Sequence, residues 1–371
     1  MIKVSDYIMK RLKEVYGVDC VFMVSGGGAM HLNDSVGKFI PYICNHNEQA
    51  SGICGEGYAR YDEKLAVVSV TTGPGGLNAL NGLFGSWTDS APVLFISGQV
   101  KYATCKASCP DIPLRQLGDQ EVDIVSVVKP LTKYAEMIVD PKQAKYCLDK
   151  AVFEATHGRK GPVWLDIPQN VQAALIEEAD FDEFIAPAKP VYDLKIGEVV
   201  EKFSAAERPL IVAGHGIRLA NAERAFADLM QKTNVPVVTT FNGFDLVTED
   251  DPHYIGRIGT IGQRAGNFAL QNADCVLFLG TRNNIRQVSH NWENFAKRAF
   301  KIVVDIDESE LKKPLVRPDL AVCADLADFL PALVKAVPAI DAADWLKWCR
   351  ERKAKFDFAH TPEYRQTGDK I

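Results

Sequence analysis

The sequence predicts an α/β fold built as two consecutive open, mostly parallel sheets, each flanked by helices. Three observations carry that prediction. Short, near-continuous apolar runs alternate with segments of helical periodicity along almost the whole chain, the pattern of a parallel sheet covered on both faces. Glycine-rich turns at 26–28, 73–76 and 214–216 follow three of those runs. An acidic, proline-bearing stretch at 176–192 interrupts the alternation once, as an interdomain connection does.

In chain order, residues 5–16 place Tyr7, Ile8, Leu12 and Val15 on one helical face, with Ser5 as cap and Gly17 as stop. The apolar run 21–24 leads into Ser25-Gly26-Gly27-Gly28, and 29–37 forms a second helix. Residues 39–43 are a strand candidate. The stretch 44–60 then reads as a closely packed helix starting near Glu48, with Ala50, Ile53, Cys54, Gly57 and Tyr58 at helical spacing. A strand at 65–70 runs into Thr71-Thr72-Gly73-Pro74-Gly75-Gly76, followed by a helix at 77–88 and a strand at 93–97. A helix at 141–157 and a strand at 163–167 complete a first domain spanning 1–175. Beyond the linker 176–192, a second domain at 193–345 takes strands at 210–213, 235–239, 275–279 and 301–305. Its helices fall at 195–206, 220–232, 264–271 and 324–337. A helix at 342–357 and a polar, frayed tail at 358–371 make 346–371 a terminal helix and tail.

At 371 residues and 47% hydrophobic, the chain can bury two cores. A net charge of −6, with Lys and Arg scattered among acids, provides no footprint for nucleic acid or an anionic membrane. No apolar run reaches the roughly 18 residues of a membrane span. The N-terminus carries an early acid and no signal-peptide core. A cytoplasmic protein with nine reduced cysteines is expected. Cys105 and Cys109 are the closest pair, without a second pair to complete a zinc site. No two histidines share metal-ligand spacing on a helix and no G-x-S-x-G elbow occurs, so neither a metal site nor a hydrolase is expected.

Ligands of open α/β sheets bind beyond the carboxyl ends of strands, where backbone N–H groups and helix N-termini converge. Gly26 and Gly27, the 73–76 turn, and Gly214 with Gly216 all stand at such ends. Each equally makes a plain tight turn, and none completes G-x-G-x-x-G or a P-loop. Together they point to a nucleotide-like cofactor without identifying it. Glu48 meets the partly positive N–H groups of a helix start; its plain reading is an N-terminal helix acid. Gly118-Asp119-Gln120-Glu121 reads as a solvated loop.

Taken together, several stretches resemble the acetolactate synthase family of thiamine-diphosphate-dependent enzymes. Asn47-Glu48-Gln49 with Gly55-Glu56-Gly57-Tyr58-Ala59-Arg60 is similar to that family's His-Glu-Gln…Asp-Gly-Tyr-Ala-Arg. Thr72-Gly73-Pro74-Gly75-Gly76-Leu77-Asn78, Asp89-Ser90-Ala91-Pro92 and Ser97-Gly98-Gln99-Val100 are similar to its Ser-Gly-Pro-Gly-Ala-Thr-Asn, Asp-Ser-x-Pro and Gly-Gln-Val. Gly161-Pro162-Val163-Trp164-Leu165-Asp166-Ile167-Pro168 with Val171-Gln172 resembles the end of its first domain. Stretches at 267–274, 280–282 and 305–307 continue the resemblance in order, over nearly the whole chain.

The resemblance implies a pyrimidine-binding domain followed by a transhydrogenase-like central domain. It implies that Glu48 hydrogen-bonds N1′ of the cofactor's aminopyrimidine and promotes proton removal from the thiazolium. The cofactor then attacks a 2-oxo acid, carbon dioxide leaves, and a second carbonyl compound is the acceptor. Catalytic roles fall on Glu48 and Gln120, the latter near the substrate; Gly26, Gly27, Pro74 and Asn78 would border the cofactor. In the central domain Gly214, Gly216, Arg282 and Arg286 are candidates for a nucleotide. Four departures stand out: Asn47 replaces the histidine, Ser25 the tyrosine of Tyr-Pro-Gly-Gly-Ala, Asp119 a phenylalanine, and Asn284-Ile285 the acids of the family's Arg-Phe-Asp-Asp-Arg flavin contact, which reads Arg282-Asn283-Asn284-Ile285-Arg286 here. Flavin (FAD) binding is therefore left open.

Magnesium and diphosphate ligands belong to a third domain in the family. The chain's one late Gly-Asp, Gly368-Asp369, precedes only two residues. The expectation is an incomplete chain, inactive alone, whose active form is a homodimer or tetramer acting on a 2-oxo acid. The alternatives are a non-flavin decarboxylase, a sugar-acid carboligase, or a non-catalytic nucleotide-binding regulatory module.

Overall fold

Apolar runs buried on both faces become the inner strands of two six-stranded, all-parallel sheets. The structure, a computed structural model, describes residues 1–356. The chain divides into the units Met1–Lys189 and Pro190–Ile371. The predicted tail at 358–371, Gly368-Asp369 included, lies outside the described residues.

The first unit's strands are β1 (Ile2–Lys3), β2 (Val21–Met23), β3 (Tyr42–Cys44), β4 (Ala66–Val70), β5 (Val93–Gln99), β6 (Tyr134–Met137), β7 (Val163–Pro168) and β8 (Leu175–Ile176). The large sheet runs β3-β2-β4-β5-β7-β6. Every residue of β4, β5 and β7 is buried, and side-chain alternation splits them between two cores. Val67, Leu94, Ile96 and Leu165 face the helices Val4–Glu14, Met30–Phe39 and Ala144–Thr156. Val68, Val93, Phe95 and Trp164 face the side covered by Glu48–Asp62 and Leu80–Asp89. β1 and β8 form a separate antiparallel pair, Ile2 opposite Ile176 and Lys3 opposite Leu175. Beyond β8, Phe181 is buried and stacks on Tyr7 at 4.1 Å.

The second unit's strands are β9 (Pro209–Ala213), β10 (Val237–Thr239), β11 (Tyr254–Arg257), β12 (Cys275–Leu279), β13 (Phe300–Asp305) and β14 (Leu320–Cys323), ordered β11-β10-β9-β12-β13-β14. One core lies against Ile196–Ser204, Glu223–Thr233 and Leu326–Ala336, the other against Arg264–Asn272 and Ala343–Lys355.

Two local expectations need correction. The strand predicted at 39–43 is a helix end and a strand start: the helix Met30–Phe39 closes with Ile40 N–H bonded to the Val36 carbonyl at 3.0 Å, and β3 begins only after Pro41. Proline has no N–H to donate and interrupts the apolar run there. In Glu48–Asp62, the apolar spacing selected the wrong face. Ser51, Gly52, Gly55 and Ala59 are buried, whereas Ala50, Ile53 and Gly57 are exposed. The buried face needs small residues because the helix lies backbone to backbone on Leu80–Asp89, where a Cβ on Gly52 would come within 3.1 Å of Gly82 Cα.

All nine cysteines lie among the described residues as free thiols. Burial pushes Cys105, Cys275 and Cys349 up to about 12, while Cys44 is exposed. Alkylation of the native protein at mildly alkaline pH, read by mass spectrometry, is expected to label Cys44 early and those three only after denaturation.

Candidate active site

In the first sheet the chain leaves β2 for β3 on one side, then recrosses to β4 on the other. The strand order therefore reverses between β2 and β4, and a crevice opens at their carboxyl ends. β2 runs out into Ser25-Gly26-Gly27-Gly28 and β4 into Thr71-Thr72-Gly73-Pro74.

Thr71 joins the two turns. Its hydroxyl accepts from Gly28 N–H at 3.1 Å. A Cβ on Gly26 would stand 2.5 Å from Thr71 Cβ, and one on Gly75 2.7 Å from its Cγ2. Three glycines thus pack around one threonine, and a side chain on Gly26 or Gly75 would force the turns apart. The carbonyls of Gly27 and Gly28 accept from the amides of Gln169 at 2.8 Å and Gln172 at 2.7 Å, both on the short helix Gln169–Gln172 after β7. The turn is held from both sides before any ligand arrives.

Glu48 is the first residue of its helix. Asn47 caps it in extended conformation, its side-chain oxygen accepting from Gln49 N–H at 2.8 Å. The asparagine that replaces the expected histidine thus has a local structural use. The half-buried Glu48 carboxylate accepts from Asn78 Nδ2 at 3.1 Å. Asn78 ends the short helix Pro74–Asn78, which begins on Gly73. A Cβ on Gly75 would lie 3.4 Å from Glu48 Oε1, so glycine keeps that oxygen clear. Gln120 is exposed, has a positive φ of 57° and sets its carbonyl oxygen against Gly73, itself at φ 56°. A side chain on Gly73 would overlap that oxygen. Contacts therefore gather Gly26, Glu48, Pro74, Asn78 and Gln120 around a single turn, and Gly27, next to Gly26, has open space where a side chain would stand.

Farther along the helix, burial holds the Glu56 carboxyl above its ordinary range, Asp89 adding to the effect and Arg60 opposing it. Arg60 reaches Asp89 at 2.7 Å and Glu56 at 3.4 Å. Thr71 and Gln169 have no role in the sequence reading, and Gln172 enters it only through the Val171-Gln172 resemblance. The one signal available for Thr71 is a hydroxyl at a strand end directly before a glycine turn.

The second sheet reverses between β9 and β12. Gly214 and Gly216 pack there against Gly280. A Cβ on Gly216 would stand 2.7 Å from Gly280 Cα, and one on Gly214 2.8 Å from Thr281 Cα. Arg282 is half-buried and its carbonyl accepts from the Lys313 ammonium. Arg286 is exposed, its guanidinium 5.6 Å from the Phe241 ring centre. Between them Asn283 is buried at a positive φ of 46° and accepts from Gln287 Nε2 at 3.0 Å.

A cavity of 590 Å³ lies elsewhere in the first unit, lined by Arg11, Tyr16, Tyr58, Asp149 and Phe153 among others. None of the predicted site residues borders it. Among the described residues no cluster of three His, Cys, Asp or Glu side chains could hold a metal ion. No helix among them is long and apolar enough to cross a membrane.

Comparison with known proteins matches residues 2–127 to the "Thiamine pyrophosphate enzyme, N-terminal TPP binding domain" and residues 196–333 to the "Thiamine pyrophosphate enzyme, central domain". The acetolactate synthase large subunit of Lactococcus lactis subsp. lactis is 31% identical over 366 residues, covering 97% of this chain and 62% of that protein. The isozyme 2 large subunit of Escherichia coli K12 is 31% identical over 360 residues, 96% of this chain and 62% of its own length. A probable acetolactate synthase large subunit of Methanocaldococcus jannaschii is 31% identical, covering 93% of this chain and 58% of that protein. The chain spans about three fifths of the length of these curated relatives.

Proposed function

The chain belongs to the thiamine pyrophosphate enzymes, with their N-terminal and central domains, and on that premise we propose that it serves a thiamine-diphosphate-dependent 2-oxo-acid carboligase or decarboxylase of the acetolactate synthase kind. One observation carries the reading: an anchored carboxylate, Glu48 on Asn78, faces Gly75, whose missing side chain leaves Glu48 Oε1 clear. A planar heterocycle with one ring nitrogen to satisfy fits such a place, since a Cβ on Gly75 would fill it.

Thiamine diphosphate, when bound, supplies the electron sink for loss of carbon dioxide from a 2-oxo acid. Glu48 holds a proton between its carboxylate and the pyrimidine N1′. Asn78 orients that carboxylate, and Pro74 with Gly26 and Gly27 borders the ring. Gln120 faces the substrate side. The diphosphate and magnesium are held by residues outside these 371. In the central domain the strand-end turn of Gly214 and Gly216, packed on Gly280, is the candidate place for a nucleotide such as FAD, with Arg282 and Arg286 on the segment leaving β12.

The active form is a homo-oligomer in the cytoplasm. In support, Tyr42, Ile43, Ile53, Leu77, Phe84 and Trp87 are exposed apolar residues on the elements that carry or flank Glu48.

The test is a side-by-side calorimetric titration of thiamine diphosphate with magnesium into the 371-residue chain and into the product of its complete gene. The complete product is expected to bind at least 100-fold more tightly, on the order of 3 kcal/mol, and to release carbon dioxide from a 2-oxo acid. Absence of binding by the complete product overturns the reading. Tight binding of FAD or ADP by the 371-residue chain, without thiamine diphosphate binding by either, would replace it with a regulatory module.

A further inference from the structure

Beneath the site lies a polar cluster that none of the roles above uses. Asp166, on β7, is fully buried. Its Oδ1 accepts from the Ser97 hydroxyl at 2.6 Å and its Oδ2 from Gln99 Nε2 at 3.1 Å. Trp164 Nε1 donates to Ser97 Oγ at 2.8 Å, which aims the serine's own proton at the carboxylate. Gln99 is 1% exposed and uses both ends of its amide. Its NH₂ donates to Asp166 and to the Val122 carbonyl at 3.2 Å. Its oxygen accepts from the Thr72 hydroxyl and from Val100 N–H at 3.0 Å.

The amide has one workable orientation. Reversed, its NH₂ would face the Val100 N–H, and its oxygen would face a carboxylate and a carbonyl. Asp166 is the one charged group among the contacts that select this orientation, with the Val122 carbonyl and the Val100 N–H selecting the same way. The two ends reach different parts of the site: Thr72 precedes Gly73, and Val122 follows Gln120 by two residues.

We propose that Gln99, locked by Asp166, is a positioning residue that fixes the spacing between the Gly73-Pro74 turn and the loop carrying Gln120. This assignment deepens the reading given above, because it takes Gln120 as the substrate-side residue. A buried carboxyl costs stability unless donors satisfy it, and an apolar residue could fill the same space. Its presence under the crevice is accounted for by the orientation that it imposes. Burial pushes Asp166 up to about 7 despite the opposing bonds from Ser97 and Gln99, with Asp123 acting in the same direction as burial.

Hydrogen–deuterium exchange on the full chain tests the bridge. Asp166→Asn presents either an oxygen or an NH₂ at each contact, and cannot accept from both Ser97 and Gln99 as the carboxylate does. It is expected to raise exchange across 116–122 roughly tenfold, the factor of one lost bond to a charged group. The strands of the second unit should be unchanged. Adding Gln99→Glu exchanges amide and carboxylate between the two positions. The carboxylate now at position 99 regains the donors Thr72 and Val100, and the amide now at position 166 donates to it in place of the lost partner. The double variant should return protection at 73–78 but not at 116–122, because a carboxylate at position 99 leaves the Val122 carbonyl without its donor.

Thr72→Val, which removes a single bond at the edge of the cluster, should loosen 73–78 and 116–122 together. Unchanged exchange at 116–122 in Asp166→Asn overturns the proposal. So does a uniform rise over the whole first unit in Asp166→Asn, a return of protection at 116–122 in the double variant, or a Thr72→Val effect confined to 73–78. None of these readouts uses cofactor or turnover, so the bridge and the functional reading fail by separate measurements.

Discussion

Glu48→Gln is expected to lower 2-oxo-acid turnover by about 10² to 10⁴ while leaving the unfolding midpoint nearly unchanged. The substitution is close to isosteric. The glutamine oxygen can still accept from Asn78 Nδ2, as the carboxylate does at 3.1 Å, and the cap made by Asn47 is untouched. Only the ability to take up and share a proton disappears. The measurement is carbon dioxide release by the complete gene product with thiamine diphosphate and magnesium, alongside thermal unfolding of the same preparations. A large rate loss at constant stability identifies a proton-handling role. Equal turnover by both proteins would return Glu48 to being an ordinary helix-start acid.

The second large effect comes from a residue that touches no ligand. Gly82→Ala places a Cβ 2.5 Å from Gly52 Cα and 2.7 Å from Ile53 N. Both neighbours are backbone atoms, so no rotamer change relieves the overlap and the helices Glu48–Asp62 and Leu80–Asp89 must separate. Overpacking of this sort costs on the order of 3 kcal/mol. The displaced helix carries Glu48, so cofactor affinity should fall together with stability. Gly57→Ala is the control on the same helix: Gly57 is exposed, has nothing within 4 Å of a Cβ, and should gain about 0.5–1 kcal/mol from helix propensity. Denaturant unfolding of the two variants should therefore move in opposite directions. A neutral Gly82→Ala would show that the two helices are not held backbone to backbone.

The inner strands were legible in the sequence because burial on both faces demands unbroken apolar runs, and Cys275–Leu279 is read to the residue. β6, β11 and β14 went unread. They are short strands at or near sheet edges, and Glu136 and Arg257 within them dilute the pattern. The Glu48 helix was read correctly as a helix and wrongly as to its face. Apolar periodicity finds helices that bury side chains, whereas this one buries glycines against another backbone. Likewise, the grouping of Glu48 with Asn78 and of Gly73 with Gln120 joins positions 30 and 47 residues apart in the chain. Only the resemblance hinted at those pairs. Thr71 lay beyond reach for the same reason, since its partners Gly26 and Gly75 come from two different turns.

The antiparallel pair of β1 with β8 bears on how the chain is made. Ile2 leaves the ribosome 174 residues ahead of its partner Ile176. At roughly 5–20 residues per second, the first strand waits about 10 to 35 s for its mate. During that interval the helix Val4–Glu14, whose Tyr7 stacks on Phe181, lacks part of its cover. The first unit therefore closes late in its own synthesis, and the nascent chain presents an apolar N-terminal helix face to chaperones for most of that time.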